Sequence, residues 1–110
     1  MIVAAVSCAK YGAEQLLLEK FFQSSRLRDR TALQQIATVI FEPHEQGTVT
    51  EFKITAVVDL EPSANGAASK QVTVVAPVRL PDGRTADRRI TLILQQRDRW
   101  IVTGFTVRGT

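Results

Sequence analysis

The chain predicts an α+β domain, two N-terminal helices packed on a curved, four-stranded antiparallel meander sheet. Three observations carry that prediction. Apolar residues recur at helical spacing as far as Ala37, the period changes to two after Gly47, and the chain closes on two β-rich runs around a short charged turn. A sheet that is apolar on one face has to bury it, and the helices supply the cover.

The first helix is expected from Ala9 to Ser24. Ala13, Leu16, Leu17, Phe21 and Ser24 follow helical spacing, while Glu14, Gln15, Glu19, Lys20 and Gln23 fill the complementary face. Leu18 and Phe22 widen the stripe, so the helix is covered on more than one side. Ser24-Ser25 ends it or caps the next turn. Asp29 suits the N-cap of a second helix that carries Ala32, Leu33, Ile36 and Ala37 on one face. Pro43 then disfavours helix at Glu42.

The first long strand alternates Phe52, Ile54, Ala56, Val58 and Leu60 with Glu51, Lys53, Thr55, Val57 and Asp59. Residues 62–69, with Asn65-Gly66, form a polar loop. Val72, Val74, Ala76, Val78 and Leu80 make the next apolar row, and Pro77 marks an edge position, a bulge or a bend in that strand. At Pro81-Asp82-Gly83 a two-residue turn would throw the apolar rows to opposite faces. A three-residue loop with Gly83 at positive φ pairs Val74 with Ile90 and Val72 with Leu92, keeping one apolar face. In the last hairpin, a turn at Arg97-Asp98 sets Leu94 opposite Ile101, Leu92 opposite Thr103 and Ile90 opposite Phe105.

Length and composition bound the rest. One chain of 110 residues with 45% hydrophobic and 23% charged residues is a single folded domain, expected over residues 9–110. The net charge of +3 is mild. Basic residues cluster at Arg26, Arg28 and Arg30, from Arg84 to Arg89, and at Arg97 and Arg99, but no aromatics interleave with them. Turns and helix ends account for these arginines, and no nucleic acid is expected as a partner. A single Cys8 and a single His44 exclude an intrachain disulfide and a closed Cys/His zinc site. Neither a cofactor nor a metal is expected.

Met1 to Cys8 is apolar with small residues before the cysteine, as at the tail of a bacterial lipoprotein signal, but lacks a charged leader. Residues 1–8 are a remnant of such a leader, with Cys8 the lipidation site, or simply the start of a cytoplasmic protein. Localisation stays open between cytoplasm and cell envelope, and a membrane enters only through lipidation of Cys8.

Several segments resemble the nuclear transport factor 2-like, cystatin-fold superfamily, in particular its small bacterial members. They are the amphipathic first helix ending in Phe21-Phe22, Arg28-Asp29 with Ala32-Leu33 opening the second, residues 49–54 beginning the sheet, and Asp98-Arg99-Trp100 closing it. The resemblance spans about residues 13 to 107 and implies a cystatin-like fold. Superfamily enzymes of the cyclase and isomerase kind place an Asp or His inside the cone as proton carrier. The inward alternation here holds no carboxylate and no histidine, with Thr103 its one hydroxyl. His44 with Glu42 and Glu45 is the remaining cluster. It would serve as a base oriented by a carboxylate, or as a polar connector bracketing Pro43.

The opposite face, with Val57, Val75, Ile93, Trp100 and Val102, is less polar than a freely solvated sheet. These residues are ordinary β-formers on an exposed surface, or they meet a second copy with Trp100 as anchor. The expected function is thus a non-catalytic binding or protein-interaction module, homodimeric through its sheet or taking a small apolar ligand. The alternative is a cyclase- or isomerase-like enzyme using His44.

Overall fold

Helix α1 (Gly12–Leu27) buries Leu18, Phe21, Phe22 and Ser25, a stripe at i, i+3, i+4 and i+7, against a curled antiparallel sheet. The structure is a computed structural model and describes residues 11–62 and 66–109. The proposed leader at residues 1–8, Cys8 included, lies outside the described residues. The buried stripe is turned from the expected one, and Leu16 is 63% exposed. The helix also passes through Ser24-Ser25. It stops at Arg28, whose left-handed backbone (φ 54) lets the Arg28 and Asp29 amides close on the Ser25 and Ser24 carbonyls.

Helix α2 (Arg30–Ile36) starts as expected at Asp29, whose carboxylate accepts from the Ala32 amide at 3.1 Å. A connector then leads to a short helix α3 (Pro43–Gln46), which the pattern did not suggest. Pro43 occupies its first turn, where a missing N–H costs nothing, and Glu42 caps it by accepting from the His44 amide.

The sheet has five strands, β1 (Thr48–Val49), β2 (Lys53–Leu60), β3 (Ser69–Arg79), β4 (Thr85–Gln96) and β5 (Trp100–Gly109). β2 to β5 form the expected meander, and β1 continues the β2 edge along the far end of β3. Pro77 falls between Val75, paired with Lys53 of β2, and Val78, paired with Val49 of β1, so its absent donor spoils no ladder on that side. The β3–β4 hairpin has the expected three-residue turn. Leu80 donates to Arg84, Gly83 has φ 94, and Val74 meets Ile90 while Val72 meets Leu92.

The alternation expected of β2 and the register expected of β5 both fail. In β2, Ile54 pairs with Val74 but Ala56 pairs with Thr73, so Thr55 is an extra residue. In β5 the turn holds three residues, Arg97 to Arg99, and Leu94 faces Val102 instead of Ile101. Thr103 is a second extra residue, after which Leu92 meets Phe105 and Ile90 meets Val107. Each bulge threonine donates its hydroxyl across the ladder, Thr55 to the Thr73 carbonyl (3.2 Å) and Thr103 to the Ile93 carbonyl (3.4 Å). Both slips exchange faces. Val57, Trp100 and Val102 turn inward, while Ala56, Val58, Leu60 and Ile101 turn outward.

The concave side is filled by rings. Phe22 lies 5.3 Å from Phe41 and 5.4 Å from Phe52, and Phe41 lies 5.1 Å from Phe105 between centroids. Burying each such ring contributes about 1.5 to 3 kcal/mol. Phe41 is drawn in further because its amide donates to the buried Ser25 hydroxyl at 3.0 Å, tying the connector to α1.

Candidate functional site

That tie leaves residues 37–42 as the outer wall of a groove against α2. The connector begins with a parallel bridge from Ala37 to Val102, closed by the Thr38 amide donating to the Val102 carbonyl at 2.9 Å. The groove has a volume of about 640 Å³, within the range of ligand clefts. Leu33, Ala37, Val39 and Ile40 supply apolar lining, and Arg28, Arg30, Glu42 and His44 stand around it.

His44 therefore sits beside a cleft, as a pocket-mouth base would, but its carboxylates do not orient it. Glu42 Oε1 accepts from the His44 main-chain amide at 3.3 Å and from Arg28 at 2.6 Å. The His44 amide, helped by the Arg28 guanidinium, holds the Glu42 carboxyl below its ordinary range against a smaller opposing effect of desolvation. Glu45 is exposed and makes no hydrogen bond to the imidazole. The cluster is thus an Arg28–Glu42 ion pair that caps α3, with His44 beside it. Among the described residues no group of His, Cys, Asp and Glu is arranged to hold a metal ion.

The proposed interaction face is redistributed by the Thr55 bulge and by the three-residue turn before Trp100. Val75 and Ile93 lie on the convex side as expected. Val102, expected there, is fully buried against Leu94, and Val57 and Trp100 pack on the core. Their places outside are taken by Val58, 51% exposed, with Leu60 and Ile101. Cross-strand rows now run Leu60–Ser69–Gln95–Ile101, Val58–Gln71–Ile93–Gly104 and Ala56–Thr73–Thr91–Thr106. None of these positions is charged. The next row, Lys53–Val75–Arg89–Arg108, is cationic.

The inward face does carry an ion pair that the sequence reading passed over. Lys70 belongs to the same row of β3 as Val72 and Val74, so the alternation already pointed it inward. Its ammonium pairs with Glu14 of α1 at 2.5 Å and lies 4.1 Å from the centre of the Trp100 ring. Burial works to raise the Glu14 carboxyl, but the Lys70 hydrogen bond and charge, with Glu14's own amide, bring it below the ordinary value. Asp59 also reaches the inward row through the Thr55 slip, yet stays exposed. The groove residues Arg30 and Gln34 carried no pattern in the sequence, because a cleft between a helix and an irregular connector has no period.

Comparison with known proteins finds no matching family model, curated protein or solved structure.

Proposed function

We propose that the chain is a non-catalytic binding module of the nuclear transport factor 2-like kind, which associates with a second copy through the convex face of its sheet. One observation carries this: three adjacent cross-strand rows on that face hold no charge, in a chain of which 23% of residues are charged. Depletion of charge marks the centre of protein interfaces, and Val58, Ile93 and Ile101 beside the flat Gly104 offer a self-complementary patch. The cationic row stands next to it, so two copies meet through the uncharged rows and keep Arg89 and Arg108 apart. Sedimentation equilibrium at tens of micromolar is expected to show a dimer, converted to a monomer by Ile93→Glu. Trp100→Ala is expected to weaken folding while leaving association in place, since its ring lies on the other side. A monomeric wild-type chain would refute the proposal.

A cyclase- or isomerase-like enzyme is the second reading, favoured only by the position of His44 beside the groove. It requires a turnover that His44→Ala abolishes.

A further inference from the structure

We propose that the groove between α2 and residues 37–42 binds the carboxylate end of an extended peptide with apolar side chains. The site is distinct from the convex face and does not depend on association there. Three features converge on that ligand.

The first is charge. Among the described residues Glu42 is the one acid lining the groove, and it is already engaged by Arg28 at 2.6 Å. The Arg30 guanidinium and the His44 imidazole make no hydrogen bond or ion pair among the described residues, so the groove keeps one unpaired cation, Arg30, and a further ring N–H donor. A planar guanidinium meets a carboxylate in two parallel hydrogen bonds.

The second is the distribution of polar groups. Among the described residues the amides of Val39 and Ile40 donate to nothing, and neither do the side chains of Gln34 and Thr38. These groups are spaced along an otherwise apolar lining of Leu33, Ala37, Val39 and Ile40. An acyl chain laid there would strip them of water and return no hydrogen bond, a loss for each group buried. A peptide matches them, because its carbonyls and side chains alternate along its length.

The third is backbone strain. Arg28 holds φ 54 at a helix end where glycine is the usual residue. The side chain at this position pairs with Glu42 and forms one side of the groove, so a strained backbone site lies in the groove wall.

The test is amide NMR on the ¹⁵N-labelled full chain, titrated with acetyl-Ala-Val-Val-Leu bearing a free carboxylate, the same peptide as its amide, and octanoate. The free peptide is expected to shift the Thr38, Val39 and Ile40 resonances, with the amidated peptide about tenfold weaker, the usual size of one charge-assisted contact. Arg30→Gln, a change at an exposed position, is expected to weaken the free peptide by a similar factor and to leave the amide unaffected. Equal binding of peptide and amide, equal binding of octanoate, or no shift at millimolar peptide each overturns the proposal. Ile93→Glu is expected to bind as the wild type does, so loss of sheet association and loss of groove binding are read separately. Loss of peptide binding in that variant would also overturn it.

Discussion

Gly47 joins α3 to β1 and fixes where His44 stands relative to the sheet. Its backbone has φ 94 and ψ −165, a region reserved for glycine. A Cβ at this position would lie 2.3 Å from the Arg79 carbonyl oxygen and 2.9 Å from Val78 Cγ1. The first of these is backbone, held in the β1–β3 ladder by the Thr48–Arg79 pair, so it cannot swing aside. Gly47→Ala therefore carries two costs. The dihedral strain is about 1 to 3 kcal/mol, and forcing the strand to give adds about 1 to 3 kcal/mol. Gly83 is the matched control, since it also has φ 94 but has no atom within 4 Å of its added Cβ. Gly83→Ala pays only the strain, so the variants should differ by about 2 kcal/mol. Urea unfolding of both at equal m-value measures that difference directly. Equal destabilisation of the two variants would refute the close approach at Gly47, and with it the placement of α3.

Two further perturbations test how the site is held. Ser25→Ala leaves the Phe41 amide buried without its acceptor, an expected loss of about 1 to 3 kcal/mol, whereas Ser24→Ala, whose hydroxyl has no bond to lose, is expected to change urea stability little. Glu14→Gln tests the ion pair to Lys70. Because the folded carboxyl is held below its ordinary value, the pair contributes stability above the ordinary range and loses it as pH falls through the folded value. The wild type should exceed the variant by about 1 to 2 kcal/mol at neutral pH, given side chains mostly but not wholly removed from water. That gap should close on acidification below about pH 5, and a gap independent of pH would show that the pair does not act through its charge.

Regular periodicity made the middle of the sheet legible. β3 and β4 alternate without interruption, so the Val74–Ile90 and Val72–Leu92 pairs and the three-residue turn at Gly83 followed from the requirement of one apolar face. The Asp29 cap was equally plain, because its chemistry is local. What failed was the outer strands. Val57 and Val58, or Ile101 and Val102, are both apolar β-formers at adjacent positions, and either register gives a credible face. The groove was not legible at all. Its wall depends on the buried bond from Phe41 to Ser25, sixteen positions apart in sequence, and no pattern links those two residues.

The two bulges also explain why the sheet curls. They lie on the strands that flank the regular β3–β4 pair, and a bulge bends its strand and increases its twist. Bending both flanks toward the same side wraps the sheet around α1, which brings Phe52 of the first flank and Phe105 of the last onto Phe22 and Phe21. The Thr55 insertion turns Val58 outward and Val57 inward, and the three-residue turn at Arg97 to Arg99 does the same for Ile101 and Val102. Deletion of Thr55 or Thr103 would leave every observed cross-strand pair in place, since each is the extra residue of its ladder, and would reduce the bend of that strand. Which residues reach the convex face is therefore fixed by the Thr55 bulge in β2 and by the length of the β4–β5 turn, two features that alternation alone does not specify.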